Sequence, residues 1–458
     1  MLNSWGEDID INTTINTLNG VSKSSSSTSI NTSTSTNSAS TAKNGDTRSS
    51  KSSTKSLANS AKLVTKPVSS TSSFFGKFTG GGGGSSNSSN NSHNSSTGTN
   101  QASGSGSGSL TTTTTNSSED TREGNDNLTI QKINASIGSI KGEDIKWDFW
   151  KLLRFSNPDK ELLKFIRARK WDPNRSSIAL TRTTKWKAYD HNVNQIIMDG
   201  EYYVFKNEMT GVMQNLTLRK AVILGHDLND RPVIVVRPKL HSTAQQTHEE
   251  LEKYVLLVVE ELQLFFKEKT TTATLLFDLT GFSLSNMDYT AVKFIITVFE
   301  AHYPECLATM IIHNAPWLFT PIWKVVKAWL DPVVAAKVNF SYSLKDLNKF
   351  IPTEQLPKYL GGELDYDLDR YTPPDGTYDI HLNDKEKRTI LLDQWRVLIA
   401  EFIKITKEWI LSENQSENKK LWLQKYDLSQ KLRAKYIEMD PYLRTRSSYD
   451  IDGLLVLE

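Results

Sequence analysis

The sequence predicts an α/β protein with a mostly parallel sheet and flanking helices. A small all-α bundle precedes the sheet and a C-terminal helical extension follows it. Three observations predict this. Apolar, β-branched-rich runs at Ala221–Leu224, Val233–Val236, Thr274–Leu279, Ala308–Ile312 and Val338–Ser341 are separated, from the second onward, by helical stretches. Strands alternating with helices imply parallel strands joined by crossover helices. Upstream, Asn157-Pro158 and Asp172-Pro173 each open a helical stripe, as a capping side chain followed by proline at the first helical position should. Downstream, Lys385–Leu411 carries Leu391, Trp395, Leu398, Phe402, Ile405 and Trp409 at alternating four- and three-residue spacing, the mark of a long amphipathic helix.

The chain has 458 residues, a net charge of +2 and 37% hydrophobic residues. The charge gives no bulk electrostatic case for nucleic acid. The hydrophobic content is low against the roughly 45–50% apolar usage of globular domains. Residues 1–125, rich in Ser, Thr, Asn and Gly, account for the deficit. Such a segment buries too little apolar surface to offset chain entropy and is expected to be disordered. Leu2–Ile11 and Ser73–Phe78 are apolar islands within it; the second suits a partner or membrane motif, or nothing beyond chance. A single cysteine, Cys306, rules out an intramolecular disulfide and suits a reducing compartment. With no leader and no span-length apolar run, the expectation is a soluble intracellular chain.

Order is expected from about Gly142. Trp147, Trp150, Leu153 and Phe155 suit a short helix. Leu162, Phe165 and Ile166 mark the next, and Ile178, Trp186 and Tyr189 the one after. Lys164, Arg167, Arg169 and Lys170 cluster there, which reads most simply as a solvated basic face. The first two strands flank a turn at Asn229-Asp230. A helix over His248–Phe266 follows, and another over Met287–Phe299 turns Val292, Ile295, Ile296 and Phe299 inward. A short helix, Leu344–Ile351, follows the last strand. After Lys385–Leu411 a second long helix runs from about Lys419 to Ile437. Its seam lasts only about three heptads, so packing on its own domain is expected over a coiled coil.

Between the last two strands, Pro316–Ala336 is apolar almost all round a helical wheel, interrupted by Lys324, Lys327 and Asp331. Such a helix needs apolar surroundings. It is too short to span a bilayer, and Pro321 and Pro332 break it. It is either clasped in a core or a lid between a greasy cargo and a membrane.

No covalent chemistry assembles. There is no phosphate-cradling loop and no dinucleotide fingerprint. Gly281–Ser285 fails the nucleophile-elbow pattern at its last position. His241 and His248 lack metal-ligand spacing. Cys306, near His302 and Glu305, is more simply packing than a nucleophile. Asp278 ends a strand, where α/β enzymes keep carboxylates, or it caps the next turn.

LLKFIRARKWD (Leu162–Asp172), NDRPVIVV (Asn229–Val236), LLFDLTG (Leu275–Gly281), YPE (Tyr303–Glu305), NAP (Asn314–Pro316), LDPVVAAKV (Leu330–Val338) and LPKYLGG (Leu356–Gly362) occur in that order. Together they resemble the CRAL-TRIO family, in particular the Sec-fourteen-type phosphatidylinositol transfer proteins of fungi. The resemblance covers roughly residues 144–365. It implies an N-terminal helical domain at 142–200 and a lipid-binding domain at 201–365, with a C-terminal extension at 380–440 outside the shared part.

The resemblance further implies a lipid pocket on the sheet, closed by a gate helix here carrying Trp317, Phe319, Ile322, Trp323, Val326, Trp329 and Leu330. Its inositol-phosphate positions fall on Arg169, Glu305, Val334 and Lys337, with valine standing where the family pattern has threonine. Four polar positions that contact choline phospholipid in the family become Ile223, Ile234, Ala273 and Leu275, so the expected second ligand is a neutral lipid. The expectation is a non-catalytic carrier that binds phosphatidylinositol and transfers it, or presents it to lipid-modifying enzymes. It needs no cofactor or metal, and it acts as a cytoplasmic monomer, peripheral on intracellular membranes. The alternative is a lipid-sensing scaffold whose tail and C-terminal helices bind a protein partner.

Overall fold

A computed structural model describes residues 117–457. The apolar islands Leu2–Ile11 and Ser73–Phe78, and the tail as far as residue 116, lie outside the described residues. Order does not wait for Gly142: helix α1 (Ser117–Ile137) comes first. Only its last turns carry apolar side chains to bury, Ile133 and Ile137, and sparse patterning in a polar stretch gave no helical signal.

Four helices then build the N-terminal bundle: α2 (Gly142–Leu153), α3 (Pro158–Ala168), α4 (Pro173–Lys185) and, after a π-helical turn at Trp186–Asp190, α5 (Val193–Lys206). Both Asx-Pro starts form as the sequence dictates. The Asn157 carboxamide accepts from the Asp159 and Lys160 N–H groups, and Asp172 accepts from Arg175 N–H, satisfying donors that a helix start leaves orphaned. The basic run near α3 is not uniformly solvated: Lys164 is buried and paired with Glu161 at 2.7 Å. Helix α6 (Thr210–Thr217) leads into the sheet.

The sheet has five strands in sequential order: β1 (Ala221–His226), β2 (Pro232–Val236), β3 (Ala273–Asp278), β4 (Leu307–His313) and β5 (Val338–Ser341). The β1–β2 pair is antiparallel and the other three are parallel. The crossovers are α7 (His248–Leu264), α8 (Tyr289–His302) and α9 (Phe319–Trp329) with its short continuation α10 (Pro332–Ala335). One sheet face, through Val233, Val235, Leu276 and Ile311, is sealed by Leu347 of α11 (Leu344–Leu347) and by Ile351, Leu356 and Leu360. The glycine pair ending that segment is required: Gly361 sits at φ +85°, and a side chain on Gly362 would collide with the Leu356 backbone.

The C-terminal hairpin, α12 (Lys385–Leu411) and α13 (Gln415–Leu443), packs on its own domain. Phe402 meets Trp150 edge-on at 5.9 Å and Tyr436 meets Phe155 at 6.0 Å. A last turn, α14 (Ser448–Ile451), brings Tyr449 to the sheet. The outer N–H groups of edge strand β1 are all taken by side chains: Ala221 donates to the Tyr254 hydroxyl, Ile223 to that of Tyr449 and His226 to Gln355.

Bundle and sheet are joined through one buried carboxylate. Glu260 of α7 meets Arg154, just past α2, at 2.5 Å and Lys187 of the π turn at 3.4 Å. It also accepts from the Tyr303 hydroxyl at the end of α8. Burial opposes its charge, but Arg154, Lys187 and Tyr303 more than offset that and hold its carboxyl at about 2, against an ordinary 4.5. Because the folded value is depressed, this contribution is present above pH 4.5 and is lost as pH falls toward 2. Replacing Glu260 by Ala strands two buried cations and should cost ~3–5 kcal/mol in urea unfolding. Glu260→Gln should flatten the acid limb of stability across that pH window.

Candidate functional site

The site is built around the Tyr303-Pro304-Glu305 turn between α8 and β4. The Tyr303 hydroxyl is fixed on Glu260, and its carbonyl accepts from the Cys306 thiol at 2.9 Å. The turn then forces Glu305 to φ +57° and leaves its side chain exposed. Holding a non-glycine residue there costs roughly 1–3 kcal/mol, supplied by the anchors on either side. Cys306 is buried, and burial pushes its thiol up to about 11. It is a packing group that pins the turn, since the thiolate is the nucleophilic form.

The Leu307 carbonyl, two residues beyond Glu305, accepts from Lys337 Nζ at 2.6 Å. Lys337 follows α10, and its N–H donates to the Val334 carbonyl at 3.0 Å. Glu305, Val334 and Lys337 therefore gather at the start of β4. Arg169 caps the C-terminal end of α3, its Nη1 3.4 Å from the Ala168 carbonyl. Its charge reaches His302, three residues before Glu305. Burial and then Arg175 lower the Arg169 pKa. Glu305, Val334 and Lys337 thus stand near the α8–β4 junction, and Arg169 stands at the end of α3.

Along the sheet the second face differs from the sealed one. Ile223, Ile234 and Leu275 stand in one row across β1, β2 and β3, with Ala273 two residues before Leu275. Ile223, Ile234 and Ala273 are buried in the main core; Leu275 stays partly accessible. So do Phe277, Ala308 and Met310, although β3 and β4 are interior strands. On α8 only Ala291 and Val298 are buried. Val292, Ile295, Ile296 and Phe299, expected to be inward, are half-open. Interior strands and a crossover helix thus leave apolar side chains half-open on this face.

Helix α9 packs on this face. Trp317 precedes it, 87% exposed, and Leu330 follows it in extended conformation, so the helix is shorter at both ends than expected. Phe319, Ile322, Trp323 and Val326 pack on Leu279, Phe282, Ile312 and Val338. Trp323 meets Phe340 and Trp329 meets Tyr289, both edge-on. Of the eleven residues, only Ile322 is buried. Trp329, Val325, Lys324 and Lys327 face solvent, as does Val333 beyond them. The segment is a half-exposed amphipathic helix, not a clasped core helix.

Sequence reasoning missed the polar frame of the site. Glu260-Glu261 interrupts the apolar run of α7, and paired acids in a buried helix were the available signal. It also missed His302, whose ring stacks on Trp186 at 3.9 Å and 6°. Asp278 proves to be a turn cap: its Oδ1 accepts from the Thr280 N–H at 3.0 Å and hydroxyl at 2.6 Å. Among the described residues no His/Cys/Asp/Glu group has metal-site geometry, and no helix is long and apolar enough to cross a membrane.

The CRAL/TRIO domain matches residues 216–362 and the CRAL/TRIO N-terminal domain residues 131–181. Phosphatidylinositol transfer protein CSR1 of Eremothecium gossypii is 44% identical over 71% of this chain and 75% of its own length. A CRAL-TRIO domain-containing protein of Schizosaccharomyces pombe is 34% identical over 73% and 75%. The SEC14 cytosolic factor of Kluyveromyces lactis is 29% identical over 45% and 71%.

Burial, Lys187 and His191 together hold the His302 imidazole down to about 3. It should remain neutral throughout a proton NMR titration from pH 8 to about 4. An unfolded histidine takes its proton near 6.5, so this residue should weaken the fold as pH drops from 6.5 toward 3.

Proposed function

The chain belongs to the CRAL/TRIO family, and on that premise we propose that it binds phosphatidylinositol under α9 and carries it between membranes or presents it to lipid-modifying enzymes, breaking no covalent bond. The observation that carries the reading is the half-open apolar face of β3, β4 and α8 beneath a cover with one buried residue. Burying a methylene is worth ~0.8 kcal/mol, and a phospholipid has roughly thirty in its chains, so escape through water is prohibitive. A carrier must offer an equally dry trough and open it at a bilayer.

The outer side of α9 suits that opening. Trp317, Val325, Trp329 and Val333 are exposed, tryptophans favour the membrane interface, and Lys324 and Lys327 attract anionic headgroups by about 1 kcal/mol each. At the other end, Arg169 and Lys337 offer two cations for one phosphate. A cation at ~4 Å contributes roughly 4 kcal/mol at an effective dielectric near 20. Glu305, exposed on its strained turn, accepts inositol hydroxyls. The apolar row Ile223, Ile234 and Leu275 has no side-chain partner for a choline headgroup, which supports a neutral lipid as second cargo. A peripheral, cytoplasmic monomer fits this reading.

One observation favours a scaffold as a second reading. The tip of the α12–α13 hairpin exposes Ile410, Leu411, Trp422 and Leu423, an apolar patch suited to a protein partner. Vesicle-to-vesicle exchange separates the two: a carrier exchanges lipid rapidly, a scaffold binds it and exchanges slowly.

Arg169→Ala combined with Lys337→Ala should lower phosphatidylinositol transfer at least a hundredfold, from about 3–4 kcal/mol of lost phosphate contacts, with an unchanged melting profile. Unaltered transfer would refute the headgroup assignment. Trp317→Ser should weaken sedimentation with anionic vesicles while leaving the lipid already bound in place.

A further inference from the structure

The joint between α9 and α10 is held by an acid that none of the motifs above contains. Helix α9 stops at Trp329, and Leu330 is extended (ψ 143°). Pro332 has no N–H to give. The Val333 N–H is taken at 2.8 Å by the carboxylate of Asp331, which caps α10. The Asp331 N–H instead reaches out of the segment and donates to Glu300 Oε1 of α8 at 3.0 Å. Glu300 stands near the end of α8, five residues before Glu305. At the start of α8, Tyr289 holds Trp329 edge-on with ring centroids 5.8 Å apart. One helix thus grips the cover on both sides of its break, once by an aromatic contact and once by a charge-assisted hydrogen bond.

We infer that Glu300 is a positioning residue for lipid exchange: its carboxylate latches the α9–α10 joint through the Asp331 N–H and sets how readily the cover lifts. The inference rests on the carrier reading, since a latch matters to exchange only if α9 moves to admit lipid. It explains why the break lies where it does. An extended residue followed by proline leaves a single outward donor at Asp331, and a single donor is released without unwinding either helix. A hydrogen bond to a charged group is among the stronger ones in a protein, yet it has an equivalent in headgroup oxygens, so a bilayer can replace it. Glu300 need not touch the lipid to act.

Hydrogen–deuterium exchange of the full chain over residues 319–336 tests the latch directly. Glu300→Ala should raise exchange at the joint by about tenfold, the loss of one charge-assisted bond, and should speed transfer of fluorescent phosphatidylinositol between vesicles. Glu300→Gln keeps an accepting oxygen without the charge and should fall between the parent and the alanine variant in both. Equal exchange in the alanine variant and the parent overturns the proposal, as does a glutamine variant that loosens as much as alanine does. Circular dichroism of both variants separates local loosening from unfolding. If the parent itself moves no lipid, the carrier reading fails, while the exchange measurement still decides whether Glu300 latches the joint.

Discussion

The turn at the centre of the site is referred to the Glu260 carboxylate. It takes Arg154 from the end of α2, Lys187 from the π turn and Tyr303 from the end of α8. A buried charge so far from water is tolerable only when its partners are complete. That requirement fixes the bundle against the sheet and fixes the turn that Tyr303 begins. From the turn follow the left-handed Glu305, the position of the Leu307 carbonyl and the Lys337 ammonium that it receives. The turn that carries Glu305 is thus organised by a carboxylate buried behind it. The stacked Trp186–His302 pair lies on the same route, and a π turn, a form that often marks functional positions, supplies its tryptophan.

Helix α9 is held differently. Its inner residues pack on the sheet without being sealed from solvent. A fully buried leucine- or phenylalanine-sized side chain is worth about 1.5–3 kcal/mol. With Ile322 alone buried and Phe319, Trp323 and Val326 half-covered, α9 is attached by a few such amounts. The sealed face of the same sheet, closed by Leu347, Ile351, Leu356 and Leu360, shows what a permanent attachment looks like. One sheet therefore carries a buried cluster on one face and a half-exposed helix on the other, separated only by the alternation of side chains along each strand.

Much of this was legible in the sequence. The five strands, the Asx-Pro helix starts and the extent of α12 follow from local rules of period, capping and proline geometry, which act over a few residues. The selection of Arg169, Glu305, Val334 and Lys337 as candidates came only through family motifs, because residues so far apart in the chain carry no local signal. The inward reading of Val292, Ile295, Ile296 and Phe299 assumed that an amphipathic crossover helix buries its stripe in protein; here the stripe stays half-open. Helix α1 was hidden by its polar composition. The Glu260 frame escaped because charge pairing between α2, α7 and α8 leaves no periodic trace.

The capped edge of β1 has a consequence for the company this protein keeps. A strand with vacant donors is an invitation to any extended peptide, including another copy of itself. Tyr254, Tyr449 and Gln355 decline that invitation with three side chains drawn from three distant stretches. One of them arrives only after the whole hairpin has been threaded. A nascent chain short of Tyr449 would carry an adhesive border, and the last turn doubles as the guard that keeps neighbouring molecules from zipping together.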